Sequence, residues 1–140
     1  MEQFQVFMAN HPALFAAAGA IIFLLILNEI KLAMRGFRNV EPADAVRLIN
    51  DGAIVLDFRA AEIYRKAHII NARNIELDAL LQDPEKLLRN IEQPVITCCD
   101  TGITGRRAAT RLATVAKSSV FNLKGGMAAW KRENLPTTKS

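Results

Sequence analysis

Hydrophobic and polar positions follow three different patterns along this 140-residue chain, and each predicts a different kind of element. The first is an unbroken apolar run, Ala13-Leu-Phe-Ala-Ala-Ala-Gly-Ala-Ile-Ile-Phe-Leu-Leu-Ile-Leu27. A helix that is apolar on every side has no face for water, so the run predicts a membrane span and not an amphipathic surface helix. It is somewhat short of the about 20 residues that a bilayer core requires. Continuing through Ile30 and Leu32 supplies the length and leaves Glu29 and Lys31 at the interface, where the Lys31 stem can snorkel. Asn10-His11-Pro12 reads as the helix start, with Pro12 in the first helical position and His11 a polar flank without metal-ligating partners. A cleaved signal peptide and a buried core helix are the alternatives. A signal peptide requires a basic leading region and a small-residue cleavage site. Here Glu2 is the only charged side chain before the run, and Asn28-Glu-Ile-Lys31 follows it.

Beyond residue 35 the other two patterns alternate. Short continuous apolar stretches of strand length are Ala53–Leu56, Val95–Thr97 and Ser119–Leu123, with a further short strand near the end of the irregular segment His68–Ile75. Apolar positions at helical spacing fall in Glu41–Asn50 (Val46, Ile49), in Asp78–Arg89 with a break at Asp83-Pro84, and in Met127–Lys131. Ala61–Lys66 reads as a short helix or turn, Arg35–Val40 as a basic linker, and Thr137 onward as a loose end. Strands alternating with helices predict an α/β domain with a parallel sheet and helices on both faces. The expected division is 1–35 for the transmembrane helix and its flanks, and 36–140 for the domain.

Charge adds an orientation. Lys31, Arg35 and Arg38 follow the apolar run and no Lys or Arg precedes it, which places the C-terminal domain in the cytoplasm. The net charge of +4 comes without the aromatic-basic interleaving of nucleic-acid binders, so no nucleic-acid partner is expected. The two cysteines, Cys98 and Cys99, are adjacent, a spacing that bridges only with strain. Both are therefore expected as free thiols in a reducing compartment.

The most informative stretch is Pro94–Leu112. A strand, Val95–Thr97, leads into a loop with two glycines, Gly102 and Gly105, and then into a helix whose apolar face is Ala108, Ala109, Leu112, Val115 and Ala116. Strand, glycine-containing loop and helix N-terminus together make an anion site from inward-pointing N–H groups and the helix dipole. A cysteine opening such a loop has its thiolate stabilised. Asp57 ends the strand Ala53–Leu56 at the edge where open α/β sheets place ligands.

Several pieces in order resemble the rhodanese family of sulfurtransferases. They are Val55-Leu-Asp57-Phe-Arg59, Tyr64, His68-Ile69, Asn71-Ala-Arg-Asn-Ile75, Cys99-Asp-Thr-Gly102, Ala108-Ala109 and Leu123-Lys-Gly-Gly-Met-Ala-Ala-Trp130. The resemblance spans roughly residues 38–135. It implies a rhodanese-like parallel sheet flanked by helices, with Cys99 as the catalytic residue and Cys98 as a small core residue at the strand end. There are departures. Thr104 stands where an arginine is frequent, Gly105 replaces a common serine, and the arginines move to Arg106 and Arg107. Ala67 stands for a glycine before His68, and Ile63 for a glutamate. These differences bear on the natural substrate more than on the activity.

The activity implied is sulfur transfer through a persulfide, with no metal and no cofactor. Cys99 takes a sulfane sulfur from an anionic donor such as thiosulfate, and a thiol or protein acceptor removes it. Asp100, Thr101, Gly102, Ile103, Thr104, Gly105 and Arg106 are the expected substrate-binding residues. Their backbone N–H groups surround the terminal sulfur, and the Thr101 and Thr104 hydroxyls are further donors. The Asp100 carboxylate works against the thiolate. Arg106 and Arg107 either draw the donor or form a solvated helix face. Asp57, Arg59 and His68 are expected to be structural near the site, and Met127 and Trp130 to pack in the core. A cysteine phosphatase would need an arginine six residues after the cysteine, where Gly105 stands. The remaining alternative is a catalytically idle rhodanese-like binding module tethered to the membrane. The implied location is a bacterial inner (cytoplasmic) membrane, crossed once.

Overall fold

The structure, a computed structural model, describes residues 1–34 and 36–140, and the chain forms two compact units that divide at residue 35. Arg35, counted in the basic flank, lies outside the described residues.

The first unit is helical. Helix α1 (Glu2–Asn10), which the hydrophobic pattern did not announce, ends at His11, where the backbone leaves the helical region. Helix α2 (Pro12–Ala33) begins on the proline, whose fixed φ and missing N–H suit that position. Phe4, Phe7 and Phe15 meet edge-on across the junction, and Phe7 lies against His11. The segment Pro12–Lys31 is long and apolar enough to cross a membrane, with mean hydropathy 2.2 and none of it buried within the protein. At 1.5 Å per residue the helix is about 33 Å long, which matches a hydrocarbon core of about 30 Å.

The second unit is a five-stranded sheet wrapped by helices. In chain order it runs β1 (Phe37–Val40), α3 (Pro42–Asn50), β2 (Ile54–Asp57), α4 (Ala61–Lys66), β3 (Arg73–Asn74), α5 (Leu77–Gln82), α6 (Pro84–Leu88), β4 (Val95–Cys98), α7 (Ile103–Ala113), β5 (Val120–Leu123) and α8 (Gly126–Arg132). The sheet order is β1-β5-β4-β2-β3, and every pair is parallel. Side chains alternate across the strands into two cores. Leu56, Val95 and Val120 point to one face, with Leu80 of α5, Leu88 of α6 and Ala108, Ala109 and Leu112 of α7. Val55, Ile96, Cys98 and Leu123 point to the other, with Ala45 of α3 and Met127 and Trp130 of α8. Each fully buried aliphatic side chain contributes about 1.5–3 kcal/mol, so both layers are held mainly by this alternation.

Two expectations are corrected. Segment 36–40 is not a linker: Phe37–Val40 is the edge strand β1, paired with β5 through the register Phe37 to Val120. Its polar Arg38 and Asn39 hide it from a hydrophobicity reading. The end of the chain is not loose. His68 and Thr138 exchange backbone hydrogen bonds of 2.9 and 2.8 Å, Trp130 Nε1 donates to the Pro136 carbonyl at 3.0 Å, and Ser140 N–H reaches the Arg65 carbonyl.

Candidate active site

Cys99 is the first residue after β4, the middle strand of the sheet, and it is only 4% exposed. Its sulfur accepts the Gly102 N–H at 3.0 Å. That bond requires the chain to reverse within three residues, and Gly102 does so with φ +91°, a conformation that a side chain rarely adopts. Gly102 is also the cap of α7, so the expected loop is shorter than its sequence suggests. Asp100, Thr101 and Gly102 form it, and Ile103, Thr104, Gly105 and Arg106 already belong to the helix. The N–H groups of Ile103, Thr104 and Gly105 are the first-turn donors that an α-helix cannot satisfy itself. Among the described residues they have no acceptor. Unused N–H groups at a helix N-terminus are donors for an anionic ligand, so this cluster is suited to an anion seated beside Sγ.

Two close approaches shape the cradle. Gly105 faces β4 and β5: a Cβ there would sit 2.5 Å from Asn122 Oδ1 and 3.6 Å from Cys99 Sγ. Gly126, with φ +57°, starts α8 beneath the loop, and a Cβ there would sit 2.2 Å from the Cys99 carbonyl oxygen. From that position Met127 N–H donates to the Cys99 carbonyl at 2.8 Å and Ala128 N–H to the Asp100 carbonyl at 3.0 Å. The loop is thus clamped by its own backbone between α7 and α8.

A buried polar chain underlies the cradle. Thr97 Oγ1 lies 2.8 Å from the Gly105 carbonyl and 3.1 Å from Asn122 Oδ1. Asn122 Nδ2 donates to Asn39 Oδ1 on β1 at 2.9 Å and to the Gly102 carbonyl at 3.3 Å. Thr97 and Asn122 are fully buried, and no buried side-chain N or O among the described residues lacks a partner. Sequence reasoning did not single out Asn39, Thr97 or Asn122. The available signal was a polar residue inside each of two short buried strands, Val-Ile-Thr-Cys and Val-Phe-Asn-Leu, where such a residue must find a partner.

The other expected residues separate into groups. Asp100, Thr101, Arg106 and Arg107 are exposed, Thr104 is half-buried, and Ile103 is 68% exposed. Neither threonine hydroxyl reaches Sγ. Asp57 and Arg59 form a buried ion pair, Nη2 to Oδ2 at 2.7 Å and Nε to Oδ1 at 3.0 Å, with Arg59 Nη2 also donating to the Ala67 carbonyl. Burial works against the Arg59 charge, but the Asp57 hydrogen bond and charge outweigh it and raise its pKa. Asn74 Nδ2 ties the same turn through the carbonyls of Asp57 and Arg59. The pair neighbours Cys98, through Phe58 N–H on the Cys98 carbonyl, and makes no hydrogen bond to Cys99. His68 is buried, stacked on Tyr64 at 3.8 Å between ring centroids, with Nδ1 at 2.8 Å from the Tyr64 carbonyl; the Tyr64 hydroxyl donates to the Ala72 carbonyl. No hydrogen bond joins His68 to the cysteine loop. Burial, reinforced by the Asp57 charge, pushes the Cys98 thiol well up, which keeps it protonated and inert.

A five-stranded parallel sheet with a cysteine opening the loop after β4, and a helix N-terminus behind that cysteine, defines a small α/β domain built around one thiol. Residues 41–133 match the rhodanese-like domain family, and the chain belongs to it. It is 29% identical over 143 aligned positions, covering 99% of both chains, to the uncharacterized protein YibN of Escherichia coli. It is 30% identical to the thiosulfate sulfurtransferase GlpE of Haemophilus influenzae, over 71% of this chain and 93% of that one. Among solved structures, a thiosulfate sulfurtransferase from Pseudomonas aeruginosa superposes with TM-score 0.65 at 27% identity over 74% of this chain. This chain spans only 20% of that protein's length. A rhodanese-related protein from Thermoplasma volcanium has the same fold, at TM-score 0.65 and 23% identity, and is covered along its whole length.

Proposed function

We propose that this chain is a membrane-anchored sulfurtransferase that carries a sulfane sulfur on Cys99. The observation that carries the reading is the 3.0 Å hydrogen bond from Gly102 N–H to Cys99 Sγ, made at a helix start whose next three N–H groups are unused. The Cys99 thiolate attacks the outer sulfur of thiosulfate, an S–S bond forms as the donor's S–S bond breaks, and sulfite leaves with the electron pair. The terminal sulfur then bears the negative charge, and the unused N–H groups of Ile103, Thr104 and Gly105 at the start of α7 are the donors proposed to hold it. An acceptor thiolate attacks that outer sulfur, and Cys99 leaves as thiolate, ready for the next donor. Asp100, Thr101 and Gly102 shape the mouth, the exposed Arg106 of α7 serves as an anion collector, and Asp57, Arg59 and His68 hold neighbouring turns.

The test is mass spectrometry after thiosulfate treatment, with thiosulfate:cyanide turnover measured alongside. Wild type and Cys98→Ala gain the mass of one sulfur atom on the loop peptide, and Cys99→Ser gains none and loses turnover by about a thousandfold or more. An unmodified Cys99 in wild type overturns the proposal in favour of an idle binding module.

The anchor is part of the same proposal. Helix α2 matches a bilayer in length, and the basic residues follow it, which supports a single span in an inner membrane with the domain in the cytoplasm. The full-length protein is expected to stay with membranes in alkaline carbonate, and the domain to resist external protease in intact cells. Release by carbonate would point to the signal-sequence reading.

A further inference from the structure

The solvent face of α7 has a composition unlike the rest of the molecule. Positions 103, 106, 107, 110 and 111 share one helical face, because residues three and four apart lie side by side. They are Ile103, Arg106, Arg107, Thr110 and Arg111, and all five are exposed. None of the three arginines is in a salt bridge among the described residues. From Thr101 to Ser118 the chain has four Lys or Arg and no Asp or Glu, so the whole net charge of +4 resides on this one segment. At its N-terminal tip stands Ile103, 68% exposed, four residues from a cysteine that is itself only 4% exposed.

A small anionic donor has no use for such a length. Arg111 lies eight residues beyond Ile103, about 12 Å along the helix axis, out of reach of an anion seated at Cys99. The stripe has the dimensions of a macromolecular contact. Its charge complements acid, and its one apolar side chain marks the end where sulfur changes hands.

We infer that the outer face of α7 docks an acidic protein that is the sulfur acceptor, its apolar side chain against Ile103 and its acidic residues along Arg106, Arg107 and Arg111. This deepens the sulfurtransferase reading and rests on it for the transfer step. The acceptor cysteine enters beside Ile103, and its thiolate attacks the outer sulfur of the Cys99 persulfide. The Sγ–S bond breaks with its electrons remaining on Cys99, and the acceptor becomes the persulfide. No oxidant or reductant is consumed. The recessed sulfur gives the contact its purpose, since a partner must be aligned before a buried atom can be reached.

The experiment uses the full-length protein in an uncharged detergent and three synthetic probes of equal length. One is a glutamate-rich peptide with a Leu-Cys pair, one is the same peptide with glutamine for glutamate, and one is an oligothymidylate of equal charge. Binding is read by fluorescence anisotropy on serine-for-cysteine versions of the peptides, which needs no sulfur chemistry. Transfer is read as the rate of sulfur loss from loaded Cys99. The acidic peptide is expected to bind at least tenfold tighter than the glutamine peptide at low salt and to accept sulfur correspondingly faster. Arg111→Glu is expected to weaken that binding several-fold while loading from thiosulfate and transfer to 2-mercaptoethanol stay unchanged. Ile103→Ser weakens the peptide and not the oligonucleotide. Equal binding of the two peptides, or insensitivity to Arg111→Glu, overturns the docking face. An oligonucleotide bound as tightly as the acidic peptide overturns the assignment to a protein. Should Cys99 fail to load at all, the anisotropy still decides the docking face, and the sulfurtransferase reading fails separately.

Discussion

Strands β2 and β4 end side by side, Asp57 in register with Cys98, and the turns that follow them treat their polar groups in opposite ways. After β2 everything is spent internally. The Asp57 carboxylate takes the Arg59 backbone N–H and guanidinium, the guanidinium takes the Ala67 carbonyl, and Asn74 and Ile75 close the remaining carbonyls. After β4 the carbonyls are tied down by α8, and three N–H groups at the start of α7 are left open around Cys99. The difference follows from the groups involved. A buried charge without a partner is costly enough that the β2 turn must satisfy itself. Peptide N–H groups at a helix end near the surface are tolerable unpaired, and so are available to an anion. One turn is closed on itself and its neighbour keeps open donors, as the proposed function requires.

That contrast predicts which variants cost stability and which cost activity. The largest effect on stability belongs to Arg59→Leu, which strands Asp57 in the interior. It is expected to lower unfolding free energy by about 3–5 kcal/mol in urea titrations, with much of the loss recovered in Asp57→Asn, Arg59→Leu together. Molecules that remain folded are expected to keep turnover within about tenfold of wild type, because the pair makes no hydrogen bond to Cys99. Turnover lost in proportion to a missing persulfide would show the two turns to be one machine.

Gly126→Ala comes next. Its Cβ would collide with the Cys99 carbonyl at 2.2 Å and with Asp100 backbone at 2.7 Å, at a φ of +57°. The stability cost is about 2–3 kcal/mol, from the left-handed backbone and the overpacking together. The activity cost is expected to exceed it, because the displaced atoms are those of the loop that holds Cys99. Equal kinetics in wild type and Gly126→Ala would mean that the α8 clamp does not set the geometry of Cys99.

The smallest effect is the pH dependence that the buried Cys98 thiol gives to stability. The Cys98 thiol is pushed well above its ordinary 9.0 by burial, so the folded chain keeps a proton there that the unfolded chain releases. Unfolding then releases protons above that pH, and stability falls as pH rises, by up to about 1.4 kcal/mol per pH unit. Below pH 9 the contribution is fully present. Cys98→Ala is expected to flatten the alkaline limb of a melting-temperature profile, and alkylation at neutral pH is expected to mark Cys99 and spare Cys98. Alkylation of both at similar rates would remove the distinction.

Much of this was legible before any coordinates. The apolar run of α2, the strand before Cys99, the helix after it and the break at Asp83-Pro84 are written in local periodicity, which the backbone must obey wherever it sits. The position of Cys99 at the head of a glycine-bearing turn belongs to the same class, since strand, loop and helix there are contiguous in sequence. What only the tertiary structure decided are the meetings of distant residues. Asn39, Thr97 and Asn122 join three strands under the cradle, Gly126 brings α8 against the Cys99 carbonyl, and Thr138 closes on His68. None of these partners shares a window of sequence with the other. Each pairing depends on which strands become neighbours and in what register, and that is settled by burying two apolar faces at once, a property of the whole sheet that no single segment carries.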